Sequence, residues 1–251
     1  MEHLLTKRIL ITGALGYIGS ETFKIIKNHF KECLAMDGLA DGSNNVQNLD
    51  LKDAAKTLKV ITDFKPDVII HFATHSALAY KESLPTSFKE DFSSTTNILH
   101  TLSGMPDCRL IYFSSSYVYS GLPIGQAYDE SSPLMPLHNF GVAKSFFEQY
   151  ILRTHPNTVI FRLSSVFGPG RALHPNVILA FAKECINNKS LTVWGKGKRK
   201  LQYIYMKDVV NIILGSFAFD AGIYNLGGDD YVSVYDTARD IANFFGVGVT
   251  F

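Results

Sequence analysis

The stretch "RILITGALGYIGS" (8–20) decides the fold. "RILIT" (8–12) is a short apolar run without polar alternation, the pattern of a strand buried on both faces. Glycines follow at 13, 16 and 19, and a helical segment continues to about Asn28. Strand, glycine turn and helix in that order form a cradle for a dinucleotide diphosphate. Gly13 permits the tight turn, Gly16 lets a pyrophosphate approach the backbone, Gly19 allows helix to pack on strand, and the helix N-terminus stabilises the anion. The next apolar run, "ECLAMD" (32–37), ends on Asp37, which is 37 − 19 = 18 residues past the last glycine. A carboxylate at that distance accepts hydrogen bonds from an adenosine ribose and repels a 2′-phosphate. Gly38 follows it with no Arg or Lys close by, so NAD is expected rather than NADP.

Beyond this unit the same alternation continues. "LKDAAKTLKVITDF" (51–64) is an amphipathic helix, "PDVIIHFA" (66–73) a third strand and "SFKEDFSSTTNILHTLS" (87–103) a helix. "RLIYFSS" (109–115) reads as a fourth strand, "FGVAKSFFEQYILRTH" (140–155) as a helix and "TVIFRLSSVF" (158–167) as a fifth strand. Continuous apolar strands separated by helices require a parallel sheet covered on both faces, the doubly wound α/β (Rossmann) class. After Pro169 the elements shorten. "SVYDTARDIANFFG" predicts a helix capped by Ser233 and closed by Gly246, and "VGVTF" begins a further strand. The expected division is a cofactor domain over 1–167 and a small C-terminal substrate lobe over 168–251. In "NLDLKD" (48–53), Asp50 and Leu51 either present an edge to an adenine or open the next helix, with Asp50 as its cap.

Composition sets limits on partners. With 46% hydrophobic and 19% charged residues the chain has the profile of a folded domain with a large core. A net charge of +1 gives no basis for nucleic acid as a partner. Cys33, Cys108 and Cys185 lie far apart and no Cys/His spacing suggests a metal, so they are expected as reduced core thiols in the cytoplasm. No apolar run reaches membrane-spanning length, and residues 1–12 are too short for a signal peptide.

Seven segments in order, "TGALGYIGS", "PDVIIHFAT", "FSSSYVYS", "FGVAKSFFE", "FRLSSVFGPG", "YIYMKDVV" and "YNLGG", resemble the extended short-chain dehydrogenases/reductases of the NAD-dependent epimerase/dehydratase family. The resemblance implies chemistry on nucleotide-diphosphate sugars with tightly held NAD, and by analogy a homodimer. It places the cofactor surface at Gly13, Gly16, Tyr17, Ile18, Gly19, Asp37, Asp50, Leu51, Phe72, Ala73, Thr74, Lys144 and Val166. It makes Ser115, four residues before Tyr119, the group that hydrogen-bonds the reacting oxygen. Lys144 would anchor the nicotinamide ribose and lower a neighbouring tyrosine's pKa. Ser116, Asn176, Arg171 and Arg199 are the expected substrate contacts.

Four departures qualify this. The family's Tyr-x-x-x-Lys pair falls on Phe140 and Lys144, and a phenyl ring has no proton to exchange. Phe140 is then an engineered substitution that stops turnover, or the mark of a natural binder without ordinary turnover, or a sign that another base acts, with Tyr117, Tyr128 and His138 nearby. Second, the dehydratases' Asp-Glu pair is replaced by Ser116 and Tyr117, which argues against a 4,6-dehydratase and leaves an epimerase or a dTDP-4-keto-sugar reductase. Third, the family's Arg ahead of "FIYV" is replaced: the pair there is Leu201-Gln202, with Lys198, Arg199 and Lys200 upstream. Fourth, the C-terminal lobe is short for the family. Asp91 stands where the family often has Asn and is expected to be structural or water-bridging; Asp208 is expected as a helix cap.

Overall fold

The computed structural model describes residues 6–43, 45–123, 125–170, 176–187 and 190–251. The chain runs β1 (Arg8–Thr12), α1 (Tyr17–His29), β2 (Glu32–Asp37), β3 (Val46–Asn48), α2 (Ala54–Phe64), β4 (Val68–His71), α3 (Ala77–Glu82), α4 (Leu84–Leu102) and β5 (Arg109–Ser115). A 3₁₀ turn (Ser116–Tyr119) leads on to α5 (Asn139–Thr154), β6 (Thr158–Leu163) and β7 (Ser165–Phe167). The remainder comprises α6 (Val177–Asn187), β8 (Ser190–Thr192), β9 (Lys200–Tyr205), α7 (Met206–Gly215), β10 (Gly222–Leu226), β11 (Tyr231–Ser233), α8 (Val234–Phe245) and β12 (Gly248–Thr250).

Seven strands form one parallel sheet in the order β10-β6-β5-β4-β1-β2-β3. Alternate residues of each strand face opposite layers, as the pleat requires. Ile9 and Ile11 pack with Phe23 and Ile26 of α1 and Val209 and Ile213 of α7. Leu10 packs on the other side with Ile61 of α2, Ile98, Leu99 and Leu102 of α4, and Phe147 and Ile151 of α5. A parallel sheet needs both covers, because both of its faces are predominantly apolar.

The structure departs from the sequence pattern at several points. "TVIFRLSSVF" is two strands: β6 pairs with β5, whereas β7 leaves the main sheet and pairs with β9. Ser164 stands between them, its N–H donating to Leu226 O at 2.9 Å. β10, from the C-terminal half, pairs with β6, and α7 covers the sheet. What stands apart is smaller, namely the three-stranded β11-β9-β7 sheet, the β12-β8 pair, and α6 and α8 around Phe181, Cys185, Leu191, Val193 and Ala238. Finally, α2 starts at Ala54 and is capped by Asp53, whose side chain accepts from Lys56 N, so Asp50 is not the cap. Asp208 likewise lies in the first turn of α7 behind an N-cap at Tyr205; there it complements the helix dipole without capping. The caps at Ser233 and Gly246 are as expected, the latter left-handed at φ +66°.

One buried ion pair ties the second cover to the sheet. Arg162 of β6 meets Glu148 of α5 at 2.7 Å, with side chains 3% and 0% exposed. Arg162 also donates to Tyr119 Oη at 2.5 Å and Glu130 O at 3.2 Å, which fastens the turn after β5. Removing one partner strands a buried charge, whereas replacing both leaves none. Glu148→Gln should therefore lower the unfolding free energy in urea by about 3–5 kcal/mol, and the double change Glu148→Leu/Arg162→Met by much less. Equal losses in the two variants would contradict this account.

Candidate functional site

The C-terminal ends of β1, β2, β4 and β5 converge at the point where strand order reverses, between β1 and β4. In such sheets the crevice at that edge takes the ligand. Gly13 has φ +71°, and a Cβ on it would lie 2.6 Å from Ala73 N, so the exits of β1 and β4 are in close contact. A Cβ on Gly19 would lie 2.1 Å from Gly13 O; α1 rests directly on the turn. Gly16 N donates to Gly13 O at 3.0 Å, and Gly16 caps α1 without a side-chain hydrogen bond. The first-turn amides of α1, beginning with Tyr17 and Ile18, are thus free of a capping side chain and available to an anion. The Tyr17 side chain turns away and donates from its hydroxyl to Gly168 O at 3.0 Å.

Asp37 closes one side of this cradle. Its Oδ2 accepts from Leu15 N at 3.0 Å and its Oδ1 from Leu39 N at 2.9 Å. A carboxylate offers about four lone-pair sites, so two amides fix its orientation and leave room for ribose hydroxyls. Asp50 is exposed, with Oδ1 accepting from Lys52 N at 3.0 Å. Leu51 buries its side chain in the core, and its carbonyl accepts from Asn97 Nδ2 at 2.8 Å. Any adenine contact from Leu51 is therefore a backbone contact.

The opposite end of the crevice is built by contacts that continue from the turn. Phe72 stacks on Phe113 with centroids 4.3 Å apart, which fixes the exit of β4. Thr74, next to Ala73, accepts from Lys144 Nζ at 3.0 Å. Lys144 lies 5.5 Å from the centre of the Phe140 ring, one turn earlier on α5. Tyr117 stands edge-on to Phe140 at 6.0 Å, and its N–H donates to Ser115 Oγ at 3.3 Å. Ser115 at the end of β5 and Phe140 and Lys144 on α5 are thereby gathered beside the glycine cradle. Of the three alternative bases, Tyr117 touches Phe140, and His138 touches Tyr117 at 5.5 Å. The Tyr128 hydroxyl is turned to Pro123 O and its ring to Tyr119.

The expected substrate residues are more dispersed. Ser116 is exposed at the mouth, and Arg199 is exposed on the small lobe. Asn176 spends its amide locally, donating to Val166 O at 2.5 Å and accepting from Leu179 N at 3.0 Å at the start of α6. Arg171 lies outside the described residues. Gln202, next to Leu201 on β9, donates to Gly228 O at 2.5 Å.

Beneath the site lies a polar layer that sequence reading only partly anticipated. Asp91 is 2% exposed. It accepts from His75 N at 3.0 Å, His75 Nδ1 at 2.7 Å and Tyr80 Oη at 2.8 Å, a structural role filled by direct bonds. The bond to Asp91 raises the pKa of His75. His71 was not anticipated as a site residue. It is fully enclosed between Thr12 Oγ1, at 2.7 Å from Nδ1, and Thr95 Oγ1, at 3.5 Å from Nε2. Burial, reinforced by the Lys144 charge, pushes its pKa down to about 4. Tyr112 on β5 is fully buried, and a buried tyrosine hydroxyl calls for a polar partner.

Residues 9–227 match the NAD dependent epimerase/dehydratase family, and the chain belongs to it. NAD is that family's cofactor, and the uncapped helix start, the glycine close approaches and Asp37 fit it. The chain is 27% identical to the dTDP-D-glucose 4,6-dehydratase of Dictyostelium discoideum, over 96% of this chain and 63% of that protein. It is 28% identical to a putative UDP-glucose 4-epimerase of Methanocaldococcus jannaschii, over 96% of this chain and 84% of that protein. It is also 28% identical to the methionine adenosyltransferase 2 subunit beta of Xenopus tropicalis, over 96% and 73%. Among solved structures, the complex of Thermus thermophilus UDP-glucose 4-epimerase with NAD superposes with a TM-score of 0.84 at 23% identity, covering 97% of this chain and 85% of that one. Among the described residues no helix is long and apolar enough to cross a membrane.

The enclosure of His71 predicts a pH effect. Between pH 6.5 and about 4 an unfolded imidazole binds a proton that the folded one refuses, so stability falls as pH falls through that window. The loss attributable to His71 is ~3 kcal/mol, scaled from 1.36 kcal/mol per unit. Urea unfolding at pH 7 and pH 5 should show a smaller acid loss in His71→Asn than in the native chain; an equal loss would refute the assignment.

Proposed function

We propose that this chain binds NAD in the glycine cradle and a nucleotide-diphosphate sugar against Ser115 and Lys144. The site is of the epimerase or related oxidoreductase type, with its acid–base hydroxyl missing at Phe140. The observation that carries this is the unbroken line of contacts from Gly13 through Ala73, Thr74 and Lys144 to Phe140, Tyr117 and Ser115. NAD, when bound, supplies a nicotinamide that accepts or returns hydride at a sugar carbon. The chain's own residues do the rest. Ser115 Oγ hydrogen-bonds the reacting oxygen, and Lys144 holds the ribose and places positive charge beneath the reaction centre. Phe140 takes no proton, so the step that removes the sugar hydroxyl's proton lacks its usual acceptor.

Asp37, with both oxygens already ordered by amides, favours NAD over NADP, which argues against a reductase that works with the phosphorylated cofactor. Neither Ser116 nor Tyr117 has the carboxylate that elimination of water requires. A second reading, a cofactor and sugar-nucleotide binder without turnover, is supported by Phe140 itself and by the similarity to a subunit named as part of a methionine adenosyltransferase.

Phe140→Tyr separates the two readings. For the first, turnover of UDP-, GDP-, CDP- or dTDP-sugars should rise by about 10²–10⁴-fold, the usual worth of a positioned acid–base group. Unchanged turnover with NAD still bound in calorimetry supports the second. Absence of any NAD binding rejects both.

A second copy of the chain is the proposed protein partner. Phe88 and Phe92 of α4 and Phe146 and Tyr150 of α5 form a connected aromatic surface, with Phe92 and Phe146 37% and 40% exposed. Apolar rings gathered on two adjacent helices are the material of an interface. Phe146→Lys should convert a dimer to a monomer in light scattering; a native chain that is already monomeric disposes of the idea.

A further inference from the structure

Lys144 is 3% exposed, yet Phe140, one turn away, offers its ammonium no oxygen. A buried ammonium needs acceptors, since an unpaired one carries a large desolvation cost. Two are present. Thr74 Oγ1 lies at 3.0 Å and Tyr112 Oη at 3.1 Å from Nζ. The Tyr112 ring itself is under the charge, 4.7 Å from Nζ to its centre. Tyr112 is fully buried on β5, so it reaches Lys144 from the floor of the crevice, where a tyrosine at 140 would reach it from the helix.

We infer that Tyr112 is the positioning residue of Lys144, supplying from the sheet the hydroxyl and aromatic face that hold the ammonium at the cofactor end of the crevice in place of a helix tyrosine. The assignment rests on the reading of Lys144 as the lysine that holds the ribose. Tyr112 suits the task in both protonation states. Its oxygen accepts from the ammonium, and its O–H can donate to a neutral amine. Its own proton is not lost in the process, because burial holds its pKa well above the usual value. The other groups around Lys144 act through space: Asp91 from α4 and Glu148 from α5 favour its charge, and burial opposes it, leaving a pKa of about 8. His71 on β4 stays neutral at that pH.

The test reads Lys144 directly and needs no cofactor. Lysine ¹³Cε resonances are titrated in the native chain, in Tyr112→Phe and in Tyr112→Phe/Phe140→Tyr, with Lys144→Gln for assignment. Loss of a hydrogen bond to the charged form should move the Lys144 midpoint down by about one pH unit in Tyr112→Phe. The tyrosine restored at 140 should recover most of that shift. An unmoved midpoint in Tyr112→Phe overturns the inference. Should that variant fail to fold, Thr74→Val carries the test: a drop of less than one unit is expected because Tyr112 remains. A drop of about two units or more would make Thr74 the true holder and overturn it as well. NAD affinity, measured separately by calorimetry, keeps the readings distinct. A chain that binds no NAD defeats the functional proposal and leaves the Lys144 titration interpretable.

Discussion

Contact between the ends of β1 and β4 is the constraint on which the site depends. No side chain fits at Gly13 or Gly19, because a Cβ at either would enter the backbone of Ala73 or of Gly13 itself. This closeness seats α1 on the sheet, points its uncapped amides into the crevice and brings Thr74 within reach of Lys144. A wider separation would lose the seat of α1 and the Lys144–Thr74 hydrogen bond together. One steric condition thus connects the backbone geometry of the turn with the placement of a charged side chain on α5.

The second organising feature is buried charge. The chain keeps Lys144, Asp91, Glu148 and Arg162 almost wholly out of water. Glu148 and Arg162 neutralise one another directly. Lys144 is held by two hydroxyls and Asp91 by His75 and Tyr80, and each feels the other through a poorly screening interior. That arrangement leaves Lys144 easier to deprotonate than an ordinary lysine, and keeps His71 neutral.

The strand runs, the glycine turn and the acid at the end of β2 were all legible in sequence, since each is a local matter: apolar runs need two covers, positive φ needs glycine, and Asp37 closes its strand. The helix boundaries were less so. The start of α2 belongs to Asp53 and not Asp50, because the nearer carboxylate reaches Lys56 N. The short α3 was missed, and α4 begins three residues earlier than its apolar pattern indicates, because Ser83 caps it and Pro85 is tolerated in a first turn.

By itself the sequence determined the parallel α/β class and the family, because these rest on residue identity at fixed spacing. Tertiary structure alone decided that β10 completes the main sheet, that "TVIFRLSSVF" divides between two sheets, and that Asn176 is occupied in holding Val166 and α6. It also decided which hydroxyls surround Lys144. Tyr112 lies 32 positions away in the chain, and no local rule relates a strand tyrosine to a helix lysine until the sheet and its covering helix are packed together.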